Sequence, residues 1–272
     1  MPDIRYAQNE NVDRGDLRMQ VIERGTSTPI DDAKISISYS GDPDSTVEEV
    51  NTDASGMSET LTLDTPPLEL SMQPSEVQPY AEYTIQVTAK GYRPINISGI
   101  EVFSGQLSLQ EIRMDAEEAT ESMTDNIVIP AHTLFAEYPP KIAEAEIKPV
   151  TETGEIVLSR VVIPEYVIVH DGAPSDPTAR DYYVRYRDYI KNVASSEIYS
   201  TWPDATIRAN VLAIMSFTLN RVYTEWYRNK GYSFTITSST AYDQKFMYGR
   251  NIYQSISDVV DEMFQNYLSR PN

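Results

Sequence analysis

The chain is 272 residues long, is 40% apolar and carries a formal net charge of −19. This length suffices for two domains, since a single core commonly holds about 100–150 residues. Because it contains no cysteine, the chain can form no disulfide, thiol nucleophile or thiolate metal site. The chain contains no run of about 18 apolar residues, so no membrane-spanning helix is predicted.

The charge is distributed unevenly along the chain. Residues 1–150 contain 27 acidic and 10 basic side chains, a net charge of −17, whereas residues 151–272 contain 14 and 12, a net charge of −2. Neither half has the basic stripe that displaces counterions from phosphate, which excludes nucleic acid as a partner and disfavours an anionic membrane surface. The acidic half should also repel the carboxylates of cell-wall peptides.

Residues 16–114 predict short β-strands that follow an N-terminal arm at residues 1–15. Apolar and polar side chains alternate, as in strands with one buried face, in residues 34–39, 60–63 and 83–88. Turn-forming residues separate these runs, for example at 41–43 and 54–56. The pattern predicts an all-β antiparallel sandwich.

Three stretches of this region resemble the carboxypeptidase-regulatory-like, transthyretin-like β-sandwich. They are Thr28-Pro29-Ile30-Asp31-Asp32-Ala33-Lys34-Ile35, Thr52-Asp53-Ala54-Ser55-Gly56 and residues 83–92. The resemblance implies a spacer or binding module without chemistry of its own.

Residues 115–160 differ in composition from the strands before them. They begin with an acidic run, residues 115–121, and contain prolines at positions 130, 139, 140 and 149. Since proline interrupts helices and central strands, this composition predicts an extended linker. The apolar residues 127–129 indicate that part of the linker packs against a neighbouring surface.

A mainly helical domain is predicted for residues 161–272, so that the whole chain is a multidomain α+β protein. The domain opens with a strand-like run at residues 161–170, and a first helix is predicted for residues 186–198. Trp202-Pro203-Asp204 then indicates the start of a long helix, and residues 256–268 predict the last one.

The first of these helices places a carboxylate at the end of an apolar stripe. Tyr186, Ile190, Val193 and Glu197 are separated by offsets of four, seven and eleven, which puts them on one helix face. Partial desolvation raises the pKa of such a carboxyl group and suits it to act as a general acid. The alternative interpretation is that Glu197 is a solvated surface acid.

Residues 188–203 resemble the signature of the SpoIID and spore cortex-lytic family of peptidoglycan lytic transglycosylases. That signature is a helix ending in Ala, a small residue, Glu and an apolar residue, as in Ala194-Ser195-Ser196-Glu197-Ile198, then Trp-Pro and a long helix. The family's catalytic Glu corresponds to Glu197. Residues 239–244 and 248–249 resemble its Asp-Gln motif in the glycan cleft. The resemblance implies that Ser239, Tyr242, Asp243, Gln244 and Tyr248 bind substrate. Since aromatic faces stack on sugars, Tyr199 and Trp202 join Tyr242 and Tyr248 as candidate cleft residues.

The activity implied by this resemblance cleaves the bond between N-acetylmuramic acid and N-acetylglucosamine. Glu197 would protonate the glycosidic oxygen and then accept a proton from the muramic 6-hydroxyl as that hydroxyl attacks the anomeric carbon, leaving a 1,6-anhydro end. One carboxylate suffices for this reaction, whereas hydrolytic glycosidases usually need two. Asp243 is the candidate second carboxylate if the chain is a hydrolase, and a polar turn is the alternative interpretation of Asp243-Gln244.

No metal or cofactor is expected. The two histidines, His132 and His170, are far apart in the sequence and are accompanied by no cysteine, so the spacing of a zinc site is absent. Some SpoIID relatives hold zinc through His and Cys ligands, and this chain departs from them.

The chain also departs from the family in length. The SpoIID domain normally continues beyond the last helix into a second half with a Gln-Trp-Gly motif, so residues 161–272 are expected to be an incomplete domain. The competing hypothesis is therefore a non-catalytic peptidoglycan-binding or spore structural protein.

Peptidoglycan glycan strands are the expected partner, and an activating protease and other spore or cell-wall proteins are further candidates. The expected location is the spore cortex or cell wall of a spore-forming bacterium. Residues 1–6 lack the pattern of a secretory signal peptide, so synthesis in the cytoplasm is expected.

Overall fold

The computed structural model describes residues 12–117, 124–143 and 158–269. The chain divides into two compact units. The first consists of Met1–Ala131, Ser200–Trp202 and Gly249–Ser255, and the second of His132–Tyr199, Pro203–Tyr248 and Ile256–Asn272. The domain bounds proposed from the sequence stay predictions. Parts of the arm, of the acidic run and of the linker lie outside the described residues.

The described elements are mostly strands, with a few helices between them. In chain order they are β1 (Asp13–Glu23), β2 (Lys34–Tyr39), β3 (Asp42–Asn51), β4 (Leu61–Thr65), α1 (Glu69–Met72), β5 (Ala81–Thr88), β6 (Ile95–Val102), β7 (Leu107–Met114), β8 (Asp125–Val128), β9 (Tyr166–His170), β10 (Asp181–Arg185), α2 (Tyr186–Glu197), α3 (Asp204–Tyr223), β11 (Ile236–Thr237), β12 (Ile252–Tyr253) and α4 (Gln254–Met263).

The described residues of the first unit form two β-sheets and the short helix α1. One contains β12, β7, β1 and β4 in that order, and the other contains β3, β2, β5, β6 and β8. Alternation of side chains along β1 buries Leu17, Met19 and Val21 completely, and the same alternation in the other strands supplies the rest of the core. Each such apolar side chain contributes roughly 1.5–3 kcal/mol on burial. The strands predicted at residues 34–39, 60–63 and 83–88 are confirmed as β2, β4 and β5.

The predicted all-antiparallel arrangement is wrong for this unit, because both sheets are mixed. β1 runs parallel to β7, with Asp16 opposite Leu107, and β6 runs parallel to β8, with Ile95 opposite Asp125. Alternation in a sequence specifies which face of a strand is buried, but it does not specify the direction of the neighbouring strand.

Part of the predicted linker is ordered against the sandwich. Residues 125–128 form β8 at one edge of the five-stranded sheet, and Ile129, only 4% exposed, joins the core. The prediction that residues 127–129 pack against a neighbouring surface is therefore confirmed for Ile127 and Ile129, whereas Val128 is 67% exposed.

In its described residues, the second unit contains α2, α3 and most of α4 together with a small sheet. α2 and the start of α3 confirm the helices predicted at residue 186 and after Trp202-Pro203. α3 ends at Tyr223, because Glu225 adopts a left-handed φ of 46°, and a separate 3-10 turn, Arg228–Lys230, is closed by Gly231. α4 ends at Met263, earlier than the predicted residue 268.

The prediction that a mainly helical domain follows the sandwich is wrong. Of the residues that the structure describes, only 21% are helical, and the second unit contains its own sheet, in which β9 lies between β10 and β11. The β-branched run Val167-Ile168-Val169 favours a strand, and residues 231–251 contain no α-helix. The periodic segments that form α2 and α3 occupy only part of residues 161–272, and the rest pairs as strands or forms irregular structure.

Candidate functional site

Glu197 is the last residue of α2, and its side chain is half-buried. The apolar stripe that leads to it is buried as the sequence predicted, with Tyr186 at 2% exposure and Ile190 and Val193 at 0%. The Glu197 side chain therefore lies at the end of a packed apolar surface, and the residue as a whole is only partly exposed.

Two groups of the second unit act on this carboxyl group. The backbone N–H of Lys245 donates a hydrogen bond of 2.7 Å to Oε1, and the ammonium of Lys141 attracts the carboxylate electrostatically. Burial has the larger effect, and it raises the pKa of Glu197 from 4.5 to about 7. Near neutral pH a substantial fraction of Glu197 is protonated, as a general acid requires.

A reciprocal pair of hydrogen bonds holds residues 245–247 against α2. The backbone N–H of Met247 donates to Asn192 Oδ1 over 2.9 Å, and Asn192 Nδ2 donates to the Met247 carbonyl over 2.8 Å. Asn192 lies more than one helical turn before Glu197. These two hydrogen bonds hold residues 245–247 close to α2, so that the Lys245 N–H reaches the Glu197 carboxyl group.

Asp243 is buried within a network of donors. Arg221 Nε, the hydroxyl of Tyr227, and both the N–H and the hydroxyl of Thr237 donate to its two oxygens at distances between 2.6 and 2.8 Å. The side chains of Asp243 and Arg221 are 0% and 2% exposed. This arrangement is that of a framework ion pair, and it keeps the carboxylate away from solvent.

Gln244 is likewise engaged inside the unit. Its Oε1 accepts from the hydroxyls of Thr218 and Tyr189 at 2.8 and 3.3 Å, and its Nε2 donates to the Ile214 carbonyl at 3.1 Å. Because Tyr189 belongs to α2 and Thr218 to α3, this one side chain links the two helices.

The aromatic residues predicted to bind substrate differ in their surroundings. Tyr248 is partly exposed and stacks on Tyr182, with ring centroids 4.6 Å apart. Tyr242 is also partly exposed, whereas Tyr199 is 8% exposed and packs on the ring of His132. Trp202 belongs to the first unit, where its indole N–H donates to the Ser71 carbonyl over 3.0 Å.

The remaining predicted site residue, Ser239, is partly exposed at a turn. Its carbonyl accepts from the backbone N–H groups of Tyr242 and Asp243 at 3.1 and 2.7 Å. Within the second unit, the predicted positions 239, 242, 243, 244 and 248 therefore belong to the same segment that supplies the Lys245 amide.

Sequence reasoning missed Lys141, Asn192 and Arg221. Arg221 could have been predicted to form a buried ion pair. It follows Ile214 and Thr218 on one helix face, and a charged residue on a buried face requires a partner. The role of Lys141 has no local sequence pattern, because Lys141 lies in the predicted linker and affects Glu197 from a distant part of the chain.

Both histidines take part in hydrogen bonds within the second unit, and His132 Nδ1 accepts from the Leu134 N–H over 3.2 Å. His170 Nδ1 lies 2.7 Å from Asp181 Oδ1, and its Nε2 lies 3.1 Å from the Asp176 carbonyl oxygen. In residues 12–117, 124–143 and 158–269, no three His, Asp or Glu side chains are grouped as metal ligands would be. Over the same ranges, none of the helices combines the length and apolar character that a bilayer crossing requires.

A separate cavity of about 110 Å³ lies in the second unit, lined in part by Tyr166, Trp226, Tyr227 and Phe234. Glu197 does not line it. We take Glu197 rather than this cavity as the candidate site, because a carboxyl group with a raised pKa is a candidate for acid–base chemistry.

Comparison with known proteins identifies no family. No protein-family model and no curated protein matches the chain. Among solved structures, the Bacillus anthracis TIE protein is 15% identical over 38% of this chain and 17% of that chain, with a TM-score of 0.27. Klebsiella pneumoniae 5-hydroxyisourate hydrolase is 18% identical over 38% of this chain and 92% of that chain, with a TM-score of 0.26.

A third similar structure is Acinetobacter radioresistens catechol 1,2 dioxygenase, which is 13% identical over 43% of this chain and 58% of that chain, with a TM-score of 0.26. The neighbours include transthyretin-like and other β-sandwich proteins. TM-scores this low carry no argument about function. The comparisons give no evidence for the SpoIID resemblance, which stays a prediction from the sequence.

Proposed function

We propose that the chain is a peptidoglycan lytic transglycosylase in which Glu197 is the single acid and base. The observation that carries the proposal is the half-buried carboxyl group at the end of α2, whose pKa is raised to about 7. The proposed substrate is the glycan of the spore cortex or cell wall, and the proposed product carries a 1,6-anhydromuramic end.

In the proposed reaction, protonated Glu197 donates its proton to the glycosidic oxygen, and the bond to the anomeric carbon breaks. The muramic 6-hydroxyl then attacks that carbon, and the Glu197 carboxylate accepts the hydroxyl proton. The carboxyl group thus returns to its starting state, and no water is consumed. A pKa close to neutral pH suits a group that must both donate and accept a proton.

The environment of Asp243 favours this one-carboxylate chemistry over hydrolysis. Hydrolytic glycosidases use a second carboxylate as nucleophile or to activate water. The Asp243 carboxylate, at 0% exposure, receives four donors and is paired with Arg221. We therefore assign Asp243 and Gln244 to the framework of the site, and Tyr242 and Tyr248 to the proposed contacts with sugar faces.

Product analysis tests the proposal. Peptidoglycan from spore cortex and from vegetative walls, with and without its stem peptides, is incubated with the chain, and soluble products are identified by mass spectrometry. We expect 1,6-anhydromuramic ends with the native chain and none with Glu197→Gln. The matched control is Glu165→Gln, the same substitution at an exposed glutamate of the second unit.

Other outcomes separate the alternatives. Reducing ends would identify a hydrolase and refute the transglycosylase assignment. Retention on sedimented peptidoglycan without any product would favour the competing hypothesis of a non-catalytic binding protein. An equal loss of product in Glu165→Gln and Glu197→Gln would remove the special role of Glu197.

A further inference from the structure

β10 is an end strand of the sheet in the second unit, and alternate backbone groups point away from the sheet. In the described residues, β10 pairs only with β9, with Tyr183 opposite Ile168. The Asp171 N–H donates to the Arg180 carbonyl, and the Tyr186 N–H donates to the Glu165 carbonyl. Hydrogen bonding alternates along an antiparallel pair, so the N–H and C=O groups of residues 181, 183 and 185 point to the open edge.

The side chains of the same three residues share one exposed face. Tyr183, in the middle of the strand, is 76% exposed, and Asp181 and Arg185, two residues to either side, are also exposed. One oxygen of Asp181 is bound to His170, and the other lies 3.5 Å from the Ser233 hydroxyl. The strand is thus acidic at one end, aromatic at its centre and basic at the other end.

The edge strand β3 of the first unit shows how a sheet edge is protected. It carries four acidic residues, Asp42, Asp44, Glu48 and Glu49, and no basic one. Its pairing with β2 also contains register shifts. Like charges and irregular pairing oppose the addition of a second strand. β10 has neither feature, because its two charges are opposite and its pairing with β9 is regular.

We propose that β10 pairs antiparallel with β10 of a second copy of this chain, about a two-fold axis at Tyr183. In that register Tyr183 faces Tyr183, and Asp181 of each copy faces Arg185 of the other. The outward groups of residues 181, 183 and 185 form about six hydrogen bonds between the copies. A two-fold axis makes the interface self-complementary, as in most homodimers.

The interface is small, so the dimer is weak. Five residues of one strand bury less area than a standard interface, and the expected dissociation constant is on the order of 100 µM. The aromatic pair and the two opposite-charge pairs across the axis add to the backbone hydrogen bonds and favour this register. The association therefore depends on concentration and, through the charge pairs, on salt.

Sedimentation equilibrium of the whole chain, over concentrations of roughly 5–500 µM, tests the proposal. We expect a monomer–dimer equilibrium for the native chain and dissociation constants raised at least about tenfold in two variants. Tyr183→Pro removes an outward N–H group at an edge position where proline is tolerated. Arg185→Glu places two like-charge pairs across the axis. Arg160→Glu, the same charge change at an exposed residue outside the strand, is the control.

Hydrogen exchange supplies a second readout. Raising the concentration of the native chain should slow exchange of the amides of residues 181, 183 and 185 and leave those of residues 182 and 184 unchanged. Circular dichroism checks that each variant is folded, and Arg185→Glu alone decides the question if Tyr183→Pro does not fold.

A native chain that stays monomeric at the highest concentration overturns the proposal. So does a dimer that Arg185→Glu and Arg160→Glu weaken equally, or protection of all five amides alike.

Discussion

The backbone N–H of Lys245 donates a hydrogen bond of 2.7 Å to Oε1 of Glu197, a residue 48 positions earlier in the chain. This bond favours the charged carboxylate, and so does the ammonium of Lys141. Burial opposes both and has the larger effect, which leaves the pKa of Glu197 at about 7. The balance between the protonated and the charged form of Glu197 thus depends on its burial at the end of α2, on Lys141 and on Lys245, which belong to three separate parts of the chain.

Glu197→Gln should stabilise the second unit at alkaline pH. Because folding raises the pKa of Glu197 from 4.5 to about 7, the native state binds the proton more tightly than the unfolded state. The resulting cost is absent below pH 4.5, grows as the pH rises to about 7, and is constant above that. At pH 8 the variant should be more stable by up to about 3 kcal/mol.

Denaturant unfolding of both proteins at pH 4.5 and pH 8 measures this difference. At pH 4.5 the free energies of unfolding should nearly coincide. A difference that does not change between the two pH values would show that Glu197 titrates normally in the folded chain.

Lys141→Met should raise the pKa of Glu197 further, because the substitution removes a positive charge that favours the carboxylate. An NMR titration of the Glu197 side-chain carbon measures the pKa directly and does not depend on activity. Lys90→Met, which removes an exposed lysine of the first unit, is the control and should leave the titration unchanged. A lowered pKa in Lys141→Met would contradict the assigned electrostatic role.

Asp243→Asn should destabilise the second unit by about 3–5 kcal/mol, since it leaves Arg221 charged and buried without its partner. Asp261→Asn is the matched control. Asp261 pairs with Lys191 over 2.8 Å but is 42% exposed, so its loss should cost less than about 1 kcal/mol. Chemical denaturation compares the two, and equal effects would refute the framework role of Asp243.

Gly56→Ala should destabilise the sandwich more than Gly25→Ala. Both glycines have a left-handed φ, of 73° and 93°, which costs an alanine about 1–2 kcal/mol. At Gly56 an added Cβ would also lie 2.4 Å from the Val21 carbonyl oxygen, whereas at Gly25 it meets nothing within 4 Å. The difference in Tm between the two variants measures the effect of this close contact at position 56. Equal decreases in Tm would contradict the prediction.

Local pattern was sufficient for several elements of this protein. Alternation predicted β2, β4 and β5, and the 3.6-residue period together with Trp202-Pro203 predicted α2 and the start of α3. These predictions are correct because burial of one face of a strand or helix depends on the spacing of side chains, which is a property of neighbouring residues in the chain. The same spacing placed Glu197 at the end of a buried stripe.

Other features depend on residues that are remote in sequence. The parallel pairing of β1 with β7 and the strand that residues 252–253 add to β7 have no local signature, because a strand does not encode the direction or identity of its neighbour. The mainly helical prediction for residues 161–272 was wrong for the same reason, since β9, β10 and β11 become a sheet only when distant segments pair.

The sequence by itself determined which residues alternate, which form helices, and that an acid ends an apolar helix face. Only the tertiary structure decided what that acid contacts and how exposed it is. It also placed Asp243 in a buried pair with Arg221, although the sequence had offered it as a second carboxylate for the reaction. The physical reason is that desolvation and electrostatic energies depend on distances in space, and folding sets those distances between residues that are far apart in the chain.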